Sequence, residues 1–259
     1  VKQAPDYPEG RGLLAGRRVV VTAAAGTGIG WWAARRCAEE GARVLISDLH
    51  QRRLGEAAAR LAEFSDAPPA TALCDVTQQS QVDALCESAL AALGGVDVLI
   101  NNAGLGGYAK LVEMRDEQWR AVLDVTLNGT MRVTRAFLPH MMERGSGAIV
   151  NNASVLGWRA QEGQSHYAAA KAGVMAFTRC VAMEAAPFGV RVNAVAPSLA
   201  MHEFLSKVTP DNLIEQLTQR EAFGRAAEPF EVANVMVFLA SELSSYMTGE
   251  VIPVSSQHP

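Results

Sequence analysis

Residues 17–48 read RRVVVTAAAGTGIGWWAARRCAEEGARVLISD, and their order decides the fold. Arg17 to Thr22 is a short β-branched run, the composition of a buried strand. A glycine-rich turn follows from Ala23 to Gly30. A helix is expected from about Trp31 to Glu40, stopped at Gly41, and then a second strand ending at Asp48. Gly26, Gly28 and Gly30 allow a tight turn and close backbone approach. Unpaired N–H groups at the helix start can hold a pyrophosphate. Thr22, Thr27 and Ile29 belong to the same turn and are counted with it as cofactor-binding. Asp48 stands 18 residues after Gly30, where a carboxylate can accept hydrogen bonds from a ribose diol. A packing turn with a surface Asp is the alternative.

The alternation continues downstream. Helices are expected at about Gln51 to Phe64, Ser80 to Leu93, Glu117 to Met142, Ser165 to Ala186 and Glu228 to Ser241. Strands are expected at Ala70 to Asp75, Val96 to Ile100, from Ala148, at Val190 to Val195 and at Val251 to Val254. Pro197 to Gly224 is a long excursion without a strand. Repeated βα units imply one doubly wound Rossmann domain over 13–259, a seven-stranded, mostly parallel sheet with helices on both faces. Residues 1–12 form an N-terminal extension, either an ordered arm or a loose tail. Right-handed crossovers put the strand C-terminal ends on one edge. Gly26 to Gly30, Asp48, Asp75, Asn102, Ser154 and Pro197 then share that edge, where ligands bind in such sheets.

Composition narrows the classes. Apolar residues make up 49% and charged ones 19% of 259 residues, which fits a globular protein with a sizeable core. A net charge of -4 without a basic run argues against a nucleic-acid partner. Cys37, Cys74, Cys86 and Cys180 are scattered without ligand spacing, so reduced core thiols, a cytoplasmic setting and no metal site are expected. No apolar run approaches ~18 residues, so no membrane span is expected, and the polar N-terminus lacks the apolar core of a signal peptide.

Chemistry concentrates in residues 148–173, AIVNNASVLGWRAQEGQSHYAAAKAG. Tyr167 and Lys171 are four apart, on one face of the expected helix. An ammonium beside a phenol favours the phenolate, and a free phenol titrates near ~10. Ser154 follows a strand end, where its hydroxyl can reach a substrate oxygen. Together the three suit proton transfer to an alcohol or carbonyl oxygen. A solvated helix face is the alternative for the pair taken alone. His166 is expected to point away from the catalytic face.

At this point the chain resembles the short-chain dehydrogenase/reductase family, over roughly Gly12 to Val254. The likeness rests on the glycine turn, Asp75-Val76, Asn101-Asn102-Ala103-Gly104, Ser154 with Tyr167 thirteen later, Tyr167-x-x-x-Lys171, and the run GRAAEPFEVANVMVFLASELSSYMTGE. It implies that Tyr167 is the general acid/base, that Lys171 lowers its pKa and binds the nicotinamide ribose, and that Ser154 holds the substrate oxygen. It implies that Asp75 and Val76 flank the adenine, that Asn102, Ala103 and Gly104 wall the adenosine side, and that Ala200, three after Pro197, meets the carboxamide. It also implies a dimer or tetramer built on the two long helices.

Four departures stand out. Ala23 follows Thr22 where the family commonly has glycine, so a reshaped turn is expected. Thr126 occupies the position of a family asparagine that ties the lysine to water. Its hydroxyl could hold that water. Asn128 is turned ~200° away by a helix and is not expected to substitute. Pro197-Ser198 replaces Pro-Gly, with His202 at a common threonine position. Ser255-Ser256 replaces a terminal Gly-Gly.

Asp48 would face the adenosine 2′ position. A 2′-phosphate there adds like charge, at about 4 kcal/mol per pair for ~4 Å and an effective dielectric near 20. NAD(H) is therefore expected over NADP(H), softened by Arg52 and Arg53 if these are more than solvated charges. On the substrate side, Met201, Phe204, Leu205 and Val208 recur at helical spacing. They read as a lid at about 198–224 over a greasy substrate, or as domain packing or a subunit contact. Leu105 and Trp158 are further expected wall residues. Arg159, Lys207 and Arg220 could meet a coenzyme A phosphate, or only water. The run NNASVLGWRAQ and the chain end resemble bacterial reductases acting on hydroxy- or keto-acyl-CoA thioesters from steroid C/D rings. A β-ketoacyl reductase and a non-catalytic nucleotide-binding relative are the alternatives.

Overall fold

A computed structural model of the chain describes residues 2–201 and 211–257, with the side chains of 211–213 outside the description. Within these residues lies one seven-stranded sheet in the order β3-β2-β1-β4-β5-β6-β7. Its strands are β1 (Arg18–Thr22), β2 (Arg43–Asp48), β3 (Ala70–Leu73), β4 (Val98–Asn101), β5 (Gly147–Asn152), β6 (Val190–Pro197) and β7 (Val251–Val254). Every neighbouring pair is parallel, so the mostly parallel expectation becomes fully parallel. The order reverses between β1 and β4, the switch point where such sheets open a crevice.

The helices are α1 (Ile29–Glu39), α2 (Gln51–Leu61), α3 (Gln79–Leu93), α4 (Asp116–Leu123), α5 (Gly129–Glu143), α6 (Ser165–Ala185), α7 (Asp211–Gln219) and α8 (Pro229–Ala240). Helices α1, α2 and α8 cover one face, with Val19, Val21, Ile46, Leu54 and Met236 in its core. On the other, α3, α5 and α6 enclose Val20, Leu45, Leu99, Phe137 and Ile149. Alternate residues of β1 thus serve opposite cores, as the two-residue period of a strand requires.

One expectation changes and one open alternative is resolved. The single helix over 117–142 is broken by a π-helical segment at Asp124–Asn128, the kind of widened turn that often marks a functional site. The N-terminal extension is ordered over its described residues. Tyr7 packs against the Trp32 and Phe230 rings and donates to Glu39. Glu40 accepts from the backbone of Arg11 and Leu13. Trp32 therefore fastens α1 to α8 and the arm.

Candidate active site

The glycine turn is shaped by backbone needs. Ala23 sits at φ +52°, so it keeps the left-handed conformation that the family's glycine would adopt more easily. Gly30 leaves room for Asn102: a Cβ there would lie 2.3 Å from the Asn102 Nδ2 and 2.4 Å from the Ala23 carbonyl. That Nδ2 donates to the carbonyls of Thr22 and Ala23. Thr22 Oγ1 accepts from the backbone of Asn102 and Ala103, so it holds the β4 corner in place. Gly28 caps α1 without any side-chain bond, which leaves the first-turn N–H groups for a ligand. A methyl group on Gly26 would meet nothing closer than 3.9 Å. Backbone donors around empty space fit a dinucleotide pyrophosphate, with Thr27 and Ile29 in the same turn.

Asp48 ends β2 with one carboxylate oxygen accepting from Ala25 and the other from His50. Burial raises its pKa, while the Ala25 bond and Arg53 act against this. Arg53 lies 3.8 Å away, whereas Arg52 pairs outward with Glu56. Each carboxylate oxygen keeps a lone pair, so a ribose hydroxyl fits here. Asp75 accepts from the Thr77 backbone and hydroxyl at the entrance to α3. Val76 packs against Gly129, whose missing Cβ makes the space.

Ser154, Tyr167 and Lys171, the residues expected to transfer a proton, meet at the C-terminal edge of β5. Lys171 is 3% exposed. Its Nζ donates to the Asn152 carbonyl at 2.5 Å and stands 5.5 Å from the Tyr167 ring centroid. Burial lowers the lysine to about 8. Burial pushes the Tyr167 phenol up to about 12, with the neighbouring Ser154 hydroxyl acting against it. The lysine stands over the ring and donates to a carbonyl, and the phenol's upward shift comes from burial, with Ser154 the group that opposes it. Ser154, 8% exposed, also accepts from Leu156 N at the start of a short 3-10 turn.

Thr126 is fully buried, and its hydroxyl accepts from Leu105 N and donates to Leu105 O. Its described bonds therefore hold the loop after β4, with none to Lys171. A Cβ on Gly104 would touch both Lys171 Nζ and Thr126 Oγ1, at 3.5 and 3.8 Å, so all three surround one corner. Asn128 donates to Asp124 instead, as the helical turn implied. Pro197 pairs with Val254 at the β6 end, and Ala200 bridges Ala227.

Leu105, Tyr108 and Trp158 stay exposed on the loops after β4 and β5, and on the first of these loops a Cβ position on Gly106 lies 4.0 Å from the Tyr167 ring. Met201 is half-buried, its N–H on Ala227 O. Phe204, Leu205, Val208, His202 and Lys207 fall outside the described residues. His166 is buried with no partner on Nδ1, and its ring faces Gly107. Burial lowers its pKa.

One residue went unread. Asn152 gives its carbonyl to Lys171 and its amide to Asn102 Oδ1. The signal was present, since an Asn-Asn pair stands at the end of both β4 and β5, Asn102 just beyond its strand, and Asn101 registers with Asn151. Cys37 and Cys74 are buried as expected, but Cys180 is exposed. Among the described residues no cluster of His, Cys, Asp or Glu could hold a metal, and no helix is long and apolar enough to cross a membrane.

A family described as enoyl-(acyl carrier protein) reductase matches residues 23–256. A Mycobacterium tuberculosis protein, (5R,7aS)-5-hydroxy-7a-methyl-1-oxo-2,3,5,6,7,7a-hexahydro-1H-indene-carboxyl-CoA reductase, is 59% identical over 257 residues, 99% of this chain and 98% of that protein. The 3-oxoacyl-(acyl-carrier-protein) reductase of Thermotoga maritima is 39% identical over 93% of this chain and 97% of its own. The crystal structure of a short chain dehydrogenase from Mycobacterium smegmatis superposes with TM-score 0.89 at 55% identity, covering 99% of both chains. An NAD+-bound xylitol dehydrogenase superposes with TM-score 0.88 at 28% identity, covering 94% of this chain and 99% of that one. With this glycine turn, this Ser–Tyr–Lys edge and these relatives, the chain belongs to the short-chain dehydrogenase/reductase family, oxidoreductases that bind a nicotinamide cofactor and act on CH–OH groups.

Proposed function

We propose that this chain is an NAD(H)-linked reductase of a bulky alicyclic keto acyl-CoA thioester of the indane type. The observation that carries the reading is the 59% identity to the indene-carboxyl-CoA reductase, which spans 257 residues and so includes the substrate side. Leu105, Tyr108 and Trp158, exposed on the loops after β4 and β5, would supply apolar walls for fused rings. Asp48 favours a free 2′-hydroxyl through its charge, and Arg53 weakens that preference.

A bound nicotinamide supplies the hydride at the substrate carbon. The chain's own residues manage the oxygen. Ser154 holds the substrate oxygen against the phenol. Tyr167, raised to about 12, is in its proton-bearing form at neutral pH and donates to the forming alkoxide. Lys171, held by Asn152, keeps positive charge below about 8 and orients the ribose beside the ring. As the pH rises past the phenol's working value, reduction slows and the reverse oxidation gains.

The test is loss of NADH absorbance with purified protein and two ketone classes. An indane-type keto acyl-CoA should be turned over, with NADPH a poorer donor. Faster turnover of simple 3-oxoacyl thioesters would move the assignment to the reading that the Thermotoga relative favours. Tyr167→Phe should cut kcat by about 10³-fold and leave NADH binding within twofold. A variant as active as wild type would remove Tyr167 from the mechanism.

A further inference from the structure

The loop after β4 lies against the start of α6 almost residue by residue. A Cβ on Gly104 would stand 3.5 Å from Lys171 Nζ, and one on Gly107 would stand 3.3 Å from His166 Nε2. Ala109 N donates to Gly163 O at 3.0 Å, and the Tyr108 ring fills the space where a Gly163 side chain would begin. Lys110 Nζ pairs with Glu162 Oε1 at 2.9 Å. Between Gly104 and Gly107 the loop therefore crosses Tyr167. There a Cβ on Gly106 would lie 4.0 Å from both Cδ2 and Cε2 of the ring, with nothing nearer.

Gly106 is a glycine that the fold does not require. Gly163 sits at φ +73° and could not carry a side chain without displacing Tyr108. Gly107 has His166 tight against it. Gly106 has neither constraint: its backbone is outside the left-handed region, and a Cβ at 4.0 Å makes an ordinary contact. Glycine also loses more conformational freedom on folding than any other residue, so the fold alone would gain from a side chain here. The position is exposed, and it stands off the ring edge whose Cε2 is bonded to the carbon bearing the phenol oxygen. Lys171 stands over the ring and is buried, and Ser154 meets the phenol, whereas the Gly106 flank is open to solvent. A ketone whose oxygen meets that phenol brings its carbon framework within reach of this flank, where the outer atoms of any side chain at 106 would also arrive.

The geometry points to Gly106 as a specificity-determining residue. Its missing side chain keeps open the flank of Tyr167 that a fused-ring ketone occupies, so the size of residue 106 sets the largest substrate that reaches the phenol. The inference rests on the reading of the chain as a reductase of bulky alicyclic ketones, and it names the position that admits them. A small ketone needs none of that space. Added carbon at 106 therefore excludes large substrates and leaves small ones and the dinucleotide untouched.

The experiment compares Gly106→Ala, Gly106→Val and Gly106→Cys with wild type. For the indane-type keto acyl-CoA, kcat/KM should fall about tenfold in Gly106→Ala and about a hundredfold in Gly106→Val. For a small ketone that wild type also reduces, tried first as 3-oxobutanoyl-CoA, it should stay within about threefold, with NADH affinity and melting temperature unchanged. Equal losses for both ketones, or no loss for the large one, overturn the inference. A second readout needs no turnover. With NAD+ bound, a ketone finds no hydride and only occupies the site. The large thioester should then slow iodoacetamide labelling of Gly106→Cys about fivefold or more at saturation, read by peptide mass. Cys180, exposed on α6, should label at its usual rate and serves as the reference. Labelling at 106 that ignores saturating thioester also overturns the inference. If wild type ignores the indane thioester, the substrate assignment fails by itself. The same variants and the labelling, run with the largest ketone that wild type reduces, then decide Gly106 alone.

Discussion

Ala23 pays a conformational cost that its family position does not demand. At φ +52° its Cβ crowds the backbone, a strain of ~1–2 kcal/mol for an L residue, partly offset by the extra freedom of glycine when unfolded. Ala23→Gly should stabilise the protein by about 0.5–1 kcal/mol in urea melts; a loss of stability would mean the turn relies on the methyl. Lys171 offers a second test at this scale. Its folded value is near 8 against an ordinary 10.5, so between these the unfolded chain binds a proton that the folded one has released. Stability attributable to Lys171 therefore rises with pH across that window. Wild type minus Lys171→Met should gain ~3 kcal/mol from pH 7.5 to 10.5 without dinucleotide, and a flat difference would place the ammonium in water. Tyr167, Lys171 and Ser154 were legible because their spacing is chemistry written along the chain. Asn152 was not, because a carbonyl's partner leaves no mark in side-chain identity.

Among elements, the strands were easiest to read and the helix over 117–142 hardest. Apolar β-branched runs such as Val19 to Val21 name themselves, since burial on both faces needs apolar residues at every position. The π segment at Asp124–Asn128 sits where Thr126 meets Leu105 and Gly129 admits Val76, contacts between segments apart in sequence. The opposite edge of the sheet shows how strands are stitched. Burial would raise the Asp97 carboxyl, but bonds from Arg18 and Arg144 hold it at about 2. Arg18 meets it through backbone N, Nε and Nη2, so β1, β4 and the end of α5 share one carboxylate. A depressed acid stabilises above its unfolded value, here 3.8, and loses that contribution as pH falls toward 2. Asp97→Asn should cost about 2 kcal/mol at pH 7 and flatten the acid limb below pH 4. Equal acid sensitivity in both proteins would argue against this.

At the scale of the whole molecule, the N-terminal arm is part of the architecture. Arg36, 4% exposed, bonds Glu40, Glu39, Asn234 and the Pro8 carbonyl, joining α1, α8 and the arm. Removing residues 1–11 should lower stability by about 3 kcal/mol while NADH affinity stays within twofold; an unchanged melting temperature would make the arm a passenger. The sequence by itself determined the βα order, the ligand edge and the Ser–Tyr–Lys set, because periodicity and short-range spacing are local properties of a chain. Only the tertiary structure decided which partner each polar group takes. It gave Thr126 to Leu105 and Lys171 to Asn152, since buried hydrogen bonds must be satisfied by whatever donors packing brings near.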